Sequence, residues 1–460
     1  MDVVAQMKNF LEPRSVALLG VSRRTGEGTY NILEYLLDYG YKGKIYPVNP
    51  NAAEILGVKT YSRIADINAQ IDLAVVNLPR SLVPQVIMEC VDKSVKSIII
   101  ATQGFADATD DEGKRLQKEI DAFVKKDGVR ILGPNSLGVA NPFINFSSSF
   151  IQLEMSKVPI GVVCQTGSFF GFVESRLLGK GIDLGNACDI NFAESLAYFE
   201  QDAETKVVAL HIEGLRDGRG FIEAAGRLAR KKPVLALKAG KSEYAAKAVK
   251  SHTGSLVGSD EVWEAALKQC GVIRVRSSEE LGDAATAFSL LTLMKGKKIA
   301  VVTSTGGLGV MSVDACEQFD LELAKLSPET IARIKALAPS WHNIGNPVDI
   351  WPGYIVTKNP LTKVWTEALD SVLSDKDVAA VLFIWGVPAH STVERLHHTL
   401  VKLVEAHPDK PLVCCLVGAY AEEAGRILQA TGQIAVFYTP DRAVRVLSYL
   451  ARYSAFRRSF

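Results

Sequence analysis

The sequence predicts an α/β protein with parallel sheets, arranged as three consecutive domains. In three places a short β-branched run leads into a glycine-bearing turn and then a helical pattern, and these runs are 15–20, 159–164 and 298–302. A strand that enters a crossover helix in this way implies a parallel sheet. The length of 460 residues exceeds one ordinary core and suggests about three domains of roughly 150 residues.

Further apolar runs of strand length extend this pattern along the whole chain, at 44–48, 73–77, 97–101, 207–212, 234–237, 379–384 and 412–416. The alternation of strands and helices is interrupted near 141–158, where Ser147-Ser148-Ser149 is polar, and at a basic turn at 295–297. We therefore expect domains over 1–145, 150–294 and 297–460. The stretch 341–354 is rich in Gly, Pro and Trp without helical or strand period, which predicts an ordered loop.

Composition excludes several classes of protein. A formal net charge of +1, with 48% hydrophobic and 22% charged residues, argues against nucleic acid as the main partner. The sequence has neither an apolar run of the length that a bilayer needs nor a signal-peptide core, so we expect a cytoplasmic protein without membrane association. The seven cysteines lack metal-ligand spacing, which predicts reduced, mostly buried thiols and no metal site.

The residue with the clearest catalytic potential is His252. It lies among small residues and glycine, between a helix-like stretch at 243–250 and a new helix from about 259. We expect an accessible loop, on which a neutral imidazole could accept a phosphoryl group and pass it on. The alternative is a loop histidine that only forms hydrogen bonds with its neighbours.

Two features of the second predicted domain could serve such a carrier. The turn Gln165-Thr166-Gly167-Ser168 follows a strand and begins a helix at 169–178, so the helix end could bind a phosphoryl group. Thr166 or Ser168 could instead simply cap that helix. Glu213 ends the strand 207–212, where its carboxylate could hold the second imidazole nitrogen; an exposed strand-end carboxylate without a task is the alternative.

The first predicted domain offers a nucleotide-type crevice. The turn Gly20-Val21-Ser22-Arg23-Arg24, with Gly26 and Gly28, is expected to open a helix after the first strand. Its spacing fails the Gly-x-Gly-x-x-Gly pattern, so a dehydrogenase is a weak interpretation, and a tight turn without ligand is a further alternative. The ends of the following strands should line the same crevice; they are Asn49-Pro50, Asn77-Leu78-Pro79-Arg80, Thr102-Gln103-Gly104 and Pro134-Asn135.

Other glycine-rich and serine motifs give weaker evidence of a functional site. Ala239-Gly240-Lys241-Ser242 lacks the upstream glycine of a phosphate-binding loop, and Ser168 lacks the flanking glycines of a nucleophile elbow. The turn Ser304-Thr305-Gly306-Gly307-Leu308-Gly309 could bind an anion, but the permissive backbone of glycine favours close packing on a partner domain. Asn346-Pro347-Val348-Asp349 is polar and rigid, with an open role.

Taken together, these residues resemble the α subunit of the nucleoside-diphosphate-forming acyl-CoA synthetases, the ADP-forming acetate–CoA ligase group, which are relatives of succinyl-CoA synthetase. The resemblance covers essentially the whole chain. Its most specific element is Lys238-Ala239-Gly240-Lys241-Ser242 followed by Ser251-His252-Thr253-Gly254-Ser255-Leu256, which matches the family's phosphohistidine segment. Supporting matches are Gly20-Val21-Ser22, Gly133-Pro134-Asn135-Ser136-Leu137-Gly138, Ile212-Glu213-Gly214 and Gly306-Gly307-Leu308-Gly309.

The resemblance implies a fold, a reaction and a set of site residues. The fold would be an N-terminal Rossmann-like CoA-binding domain followed by two flavodoxin-like domains. The reaction would interconvert acyl-CoA, ADP and phosphate with a carboxylic acid, CoA and ATP, through an acyl phosphate and a phosphohistidine at His252 that Glu213 orients. Phosphate would be bound by Thr166, Gly167, Ser168, Gly254 and Ser255. CoA would lie across Gly20, Val21, Ser22, Arg23, Asn49, Pro50, Asn77, Pro79, Gln103 and Asn135.

The resemblance also implies a partner. The sequence contains no ATP-grasp segment, so the site for ADP or ATP and Mg²⁺ is expected on a separate β subunit, in an α2β2 heterotetramer. The identity of the carboxylic acid, and whether the nucleotide is ADP or GDP, are left open. The alternative function is a non-catalytic CoA- or nucleotide-binding regulatory module with a vestigial histidine loop.

Three segments depart from the family pattern. Gln103 replaces a small or acidic residue, Asn77-Leu78-Pro79-Arg80 is less usual in the family, and the phosphate turn is the third. Cys164-Gln165-Thr166-Gly167 replaces a common Ser-Gln-Ser-Gly and is followed by bulky Phe169 and Phe170. These aromatics either shape a substrate pocket unlike that for acetate or are ordinary core residues.

Overall fold

The computed structural model describes residues 2–26, 28–171, 178–242, 244–245 and 259–460. The chain divides into two compact units, Met1–Leu281 and Gly282–Phe460. In chain order the strands of the described residues are β1 Ser15–Leu19, β2 Lys44–Val48, β3 Glu54–Ile55, β4 Val58–Lys59, β5 Leu73–Val76, β6 Ser97–Ile100, β7 Arg130–Leu132, β8 Gly138–Asn141, β9 Phe146–Ser147, β10 Ile160–Cys164, β11 Lys180–Asp183, β12 Val207–Ile212, β13 Val234–Lys238, β14 Ile273–Val275, β15 Lys298–Thr303, β16 Glu322–Leu323, β17 Val348–Asp349, β18 Ala380–Gly386, β19 Leu412–Val417 and β20 Ala435–Phe437.

The first sheet of the first unit has the order β2-β1-β5-β6-β7 and is parallel throughout its described strands. Every residue of β1, β5 and β6 is buried, as expected for strands covered on both faces. The chain proceeds from β1 to β2 on one side and to β5 on the other, so the strand order reverses at β1. Ligands bind at such a reversal, beyond the carboxyl ends of the strands. The helices of this region are Val3–Leu11, Ile32–Asp38, Val83–Asp92 and Asp111–Asp127.

The second sheet of this unit has the order β14-β13-β12-β10-β11-β8-β9 among the described strands. It is parallel except where β8 pairs with β11 and with β9. The chain therefore passes from β7 of the first sheet to β8 and β9 of the second, and the pairing of β8 with β11 brings the turn before β8 against the end of β11. The guanidinium of Arg130, on β7, also bonds Asp189 and Glu194, each at 2.9 Å. The described helices here are Gly167–Gly171, Phe192–Gln201, Gly218–Ala229 and Asp260–Gln269.

The second unit contains a parallel sheet of order β16-β15-β18-β19-β20, with β17 paired to β15. Its core includes Trp365, Phe383 and Trp385, with the Trp365 and Trp385 ring centroids 4.9 Å apart. The helix Ser278–Leu290 contains the division between the units, and the later helices are Gly306–Gln318, Pro328–Lys335, Trp351–Ile355, Leu361–Ser374, His390–Ala406, Ala421–Gln429 and Pro440–Arg458.

The predicted α/β class with parallel sheets is confirmed, and two local expectations are wrong. The Gly20 turn does not open a helix directly, because the next helix begins at Ile32, where the Asn31 side chain accepts N–H bonds from Leu33 and Glu34. The stretch 341–354 contains the short strand β17 and the helix Trp351–Ile355, both too short to give a periodic pattern. No helix within the described residues combines the length and apolarity needed to cross a membrane.

Candidate functional site

The Gly20 turn and the turn after β5 are in direct contact. Gly20 has a φ of +90°, and a Cβ there would lie 2.2 Å from the carbonyl oxygen of Asn77. Only glycine permits this approach, which sets the two turns side by side at the strand-order reversal. Gly20, Val21, Ser22 and Asn77 line a cavity of about 150 Å³, together with Tyr30.

The other predicted CoA residues have different placements. Asn49 supports the Gly20 turn, because its side-chain amide donates to the carbonyl of Val21 at 2.9 Å. Arg23, Pro50 and Pro79 are exposed and are not among the described residues that line this cavity. Gln103 and Asn135 instead line a second, larger cavity.

This larger cavity, of about 510 Å³, is lined by residues of both predicted binding regions. Asn77 lines both cavities, so the crevice at β1 and β5 and the larger cavity adjoin at this residue. The predicted phosphate residues Thr166, Gly167 and Ser168 also line the larger cavity. Its described lining is Asn77, Leu78, Ala101, Thr102, Gln103, Asn135, Ser136, Leu137, Phe150, Ile151, Gln165, Thr166, Gly167, Ser168 and Asp183.

The phosphate turn follows β10 and begins the helix Gly167–Gly171. The N–H groups of Phe169 and Phe170 both donate to the carbonyl of Thr166, at 3.1 and 3.2 Å. These two N–H groups are therefore engaged within the turn, so an anion at this helix end would bond the N–H groups that precede them, those of Gly167 and Ser168. A Cβ on Gly167 would lie 3.1 Å from the Leu137 side chain, so the turn packs closely on the segment that leads to β8.

The two bulky residues of this helix differ from each other. Phe170 is 1% exposed and packs against Gly181, so it is a core residue. Phe169 is half-buried and stacks on the ring of His211, with centroids 4.8 Å apart. Neither belongs to the described lining of the larger cavity, whose apolar wall comes from Leu78, Leu137, Phe150 and Ile151.

Glu213 lies immediately after β12 and is 7% exposed, so the alternative of an exposed strand-end carboxylate is wrong. Its N–H and that of Gly214 donate to the Gln165 side-chain oxygen, at 2.8 and 3.1 Å. Its carbonyl accepts a bond from Nζ of Lys238 at 2.9 Å. Gln165 belongs to the phosphate turn, so one side chain fixes Glu213 relative to that turn.

Two buried bases lie behind Glu213. Lys238 is 1% exposed, and its Nζ is 5.0 Å from the ring centre of Trp263. Burial lowers the pKa of Lys238 to about 8. Burial, together with the nearby Lys238 charge, lowers the pKa of His211 to about 4, so this imidazole is neutral at physiological pH. A neutral His211 can stack on Phe169 without introducing a buried charge.

His252, Gly254 and Ser255 lie outside the described residues. Their roles stay predictions. The described chain resumes at Ser259, whose side chain accepts the N–H of Val262 at the start of the helix Asp260–Gln269. The expected helix after the histidine segment is therefore present.

Sequence reasoning missed Asp183, a buried carboxyl in the larger cavity. It is 1% exposed and ends β11. Oδ2 accepts the N–H of Leu137 at 2.7 Å, and Oδ1 accepts that of Gly185 at 3.2 Å. Burial raises the pKa of Asp183 to about 6. Asp183 ends a strand, as Glu213 follows one, so the same rule applies to it. However, β11 was not recognised as a strand, because Lys180 and Gly181 interrupt its apolar sequence.

Two motifs of the second unit form packing contacts and hydrogen bonds within that unit. Thr305 caps the helix Gly306–Gln318 by accepting the N–H of Leu308, and a Cβ on Gly309 would lie 3.2 Å from Thr303. Close packing within the unit thus accounts for Gly309, whereas Gly306 and Gly307 border open space. The Asn346 side chain forms hydrogen bonds with backbone groups of Ile299, Val301 and Ala324, so Asn346 holds its own segment against these residues. No cluster of three potential metal ligands occurs among the described residues.

Three family models cover most of the chain. They are a CoA binding domain over residues 14–142, a succinyl-CoA ligase like flavodoxin domain over 157–288, and a ligase-CoA domain over 299–459. The order of these domains agrees with the predicted Rossmann-like CoA-binding domain followed by two further α/β domains.

Similar proteins are named as CoA ligases. Acetate–CoA ligase (ADP-forming) II subunit alpha of Pyrococcus furiosus is 34% identical over 94% of this chain and 94% of its own. Acetate–CoA ligase (ADP-forming) II of Archaeoglobus fulgidus is also 34% identical, over 98% of this chain. The chain spans 67% of that relative's length and 63% of the length of an equally named ligase of Methanocaldococcus jannaschii.

A solved structure supports the same assignment. The dinucleotide forming acetyl-coenzyme A synthetase 1 of Ca. Korarchaeum cryptofilum, in complex with phosphate and ADP, superimposes with a TM-score of 0.89 at 30% identity. The match covers 98% of this chain and 97% of the other. The chain therefore belongs to the nucleoside-diphosphate-forming acyl-CoA synthetase family, with ADP-forming acetate–CoA ligases as its relatives.

Proposed function

We propose that this chain is the α subunit of an ADP-forming acyl-CoA synthetase. The complex interconverts acyl-CoA, ADP and phosphate with a carboxylic acid, CoA and ATP. The observation that carries the proposal is the larger cavity, which is lined both by strand ends of the first sheet and by the phosphate turn, and which shares Asn77 with the crevice at β1 and β5. A thioester and a phosphate must meet for an acyl phosphate to form, and this cavity provides the place.

CoA binds along the first sheet. The turn Gly20-Val21-Ser22 contacts its phosphate-bearing part at the strand-order reversal, supported from behind by Asn49. Asn77 and Asn135 then guide the thiol end into the larger cavity. The CoA binding domain model over residues 14–142 supports this assignment.

Phosphate binds at Thr166, Gly167 and Ser168 and attacks the thioester carbonyl, giving an acyl phosphate and CoA. His252 then takes the phosphoryl group from the acyl phosphate, which releases the carboxylic acid. Glu213 bonds the second imidazole nitrogen and fixes the tautomer that attacks. The Glu213 N–H donates to the Gln165 side-chain oxygen and the Glu213 carbonyl accepts from Lys238, and these two bonds hold the Glu213 backbone beside the phosphate turn.

The phosphorylated His252, with Gly254 and Ser255 beside it, transfers the phosphoryl group to ADP on an ATP-grasp β subunit that also holds Mg²⁺. We propose an α2β2 heterotetramer. The name of the Pyrococcus furiosus relative, a subunit alpha that this chain matches over 94% of its length, supports a separate partner.

The test is turnover by the chain co-expressed with an ATP-grasp subunit. CoA, ATP and Mg²⁺ are supplied with a panel of acetate, butyrate, 4-hydroxybutyrate and phenylacetate, and thioester and ADP are measured. We expect thioester and ADP in equal amounts with at least one acid, and neither with His252→Ala. CoA binding without turnover by any acid would favour the regulatory module instead.

A further inference from the structure

Among the described residues that line the larger cavity, Asp183 is the one with an ionisable side chain. Among the described residues that line it, the others are apolar, hydroxyl or amide residues, and Asp183 alone can exchange a proton. Its carboxyl lies between the two binding regions: Oδ2 accepts the N–H of Leu137, and a Cβ on Gly167 would be 3.8 Å from that same oxygen. It therefore adjoins the phosphate turn and the segment that follows Asn135.

We infer that Asp183 is a catalytic residue of the thioester step, where it moves one proton between phosphate and the sulfur of CoA. This inference rests on the proposed function, and it adds a general acid–base group to the reaction. The thiol of CoA must lose a proton when it attacks an acyl phosphate and regain one when the thioester is cleaved. No other described side chain in the cavity can serve either role.

The step balances in both directions. When HPO₄²⁻ attacks the thioester carbonyl, the Asp183 carboxylate accepts the phosphate proton as the C–O bond forms. The C–S bond then breaks with its electron pair moving to sulfur, and the Asp183 carboxyl donates the same proton to that sulfur. In reverse, the carboxylate accepts the thiol proton while sulfur attacks the acyl phosphate, and returns it to the leaving phosphate.

The environment of Asp183 suits this exchange. The titratable groups that act on it among the described residues are Cys164, whose sulfur is 3.8 Å from Oδ1, and Glu213, whose negative charge raises the pKa of Asp183 further. Burial raises the Cys164 pKa well above its usual value, so that group stays a thiol. A carboxyl with a pKa of about 6 is mostly ionised at neutral pH, yet close enough to neutrality to be protonated transiently.

A half-reaction isolates this step from the histidine and the nucleotide. The complete complex, without ATP, is given acetyl phosphate or butyryl phosphate together with CoA, and loss of the free thiol is followed. For the wild type we expect kcat/KM for CoA to rise with pH through about 6 and then level off, because the carboxylate is the active form.

Asp183→Asn is expected to lower kcat/KM for CoA about 100-fold at neutral pH, the usual range for a lost general base. Its inflection near pH 6 should disappear, and the rate should instead keep rising towards the thiol pKa, since only free thiolate can then attack. The matched control is Asp107→Asn. Asp107 also accepts two backbone N–H bonds, from Gly104 and Phe105, but is outside the described lining of the cavity. That control should keep the wild-type inflection.

The outcomes separate the two proposals. If the wild type is active and Asp183→Asn keeps the inflection near pH 6, Asp183 does not have this role. The proposed function is then unaffected. A wild type that forms thioester from neither acyl phosphate, although it binds CoA, counts against the proposed function itself. If Asp183→Asn does not fold, as judged by its melting curve, the wild-type profile decides, and a rate independent of pH between about 5 and 7 contradicts the inference.

Discussion

Substituting Gly20 with alanine tests whether the contact between the β1 and β5 turns builds the CoA site. The new Cβ would lie 2.2 Å from the Asn77 carbonyl oxygen, where ordinary contact begins at 3.4 Å, so the turns must separate by about 1.2 Å. Overpacking of this kind costs about 1–3 kcal/mol. If the free protein relaxes by opening the turns, CoA must close them again, which corresponds to a roughly 5- to 150-fold weaker Kd.

Gly26 provides the matched control, because it lies in the same loop and has a φ of +93° against +90° for Gly20. A Cβ on Gly26 would meet no atom within 4 Å. Both alanine variants therefore carry the same left-handed backbone strain, of about 1–2 kcal/mol, and only Gly20→Ala carries the collision. Titration calorimetry with CoA measures the difference. Equal affinities for the two variants would refute the argument that this contact shapes the site.

Three further predictions concern the groups behind the phosphate turn. Gln165→Ala leaves the buried N–H groups of Glu213 and Gly214 without their acceptor, and should lower the free energy of unfolding in urea by about 2–3 kcal/mol; an unchanged midpoint would contradict this. Lys238→Met removes the bond to the Glu213 carbonyl, and we expect kcat to fall about tenfold or more while the Kd for CoA is maintained; an equal loss in both would show a general disruption. For His211, the unfolded pKa of about 6.5 exceeds the folded pKa, so the unfolded state binds more protons as the pH falls through 6.5 towards about 4. The free energy of unfolding should lose about 3 kcal/mol over that window, and His211→Phe should remove this part of the acid sensitivity in denaturation curves recorded at several pH values.

Continuous apolar runs made most of the strands predictable. β12 and β19, for example, are buried almost throughout, so their sequences, apart from His211 in β12, are hydrophobic without alternation. β11 escaped prediction because it begins with Lys180, whose charge is compensated in the fold by Asp202 at 2.6 Å. That partner lies 22 positions away, so no local pattern could reveal that Lys180 is buried.

The candidate site was predictable where it depends on strand ends. Asn77, Asn135, Gln165 and Glu213 all follow strands, and parallel strands bring their carboxyl ends to one edge of a sheet. The link between the two sheets was not predictable, because it depends on β8 pairing antiparallel with β11. That pairing sets the segment after Asn135 against Asp183, and so determines which strand ends share one cavity.

The loop between β1 and the next helix depends on contacts that the local sequence pattern does not show. The distance from β1 to the helix at Ile32 is set by the Asn31 side chain, whose amide donates to the carbonyls of Ser22 and Arg24. These bonds fold the loop back on itself, a tertiary effect that a strand-turn-helix pattern does not contain. The prediction of a helix directly after Gly20 failed for this reason.

Mapping of phosphorylated peptides tests most directly whether His252 carries the phosphoryl group. The complex of this chain with its ATP-grasp subunit is incubated with ATP and Mg²⁺ and digested under alkaline conditions that preserve phosphohistidine. We predict a phosphate on His252 that is stable to base, labile to acid and discharged when acid and CoA are added. A phosphate that is absent, or that persists in His252→Ala on this chain, would contradict the account.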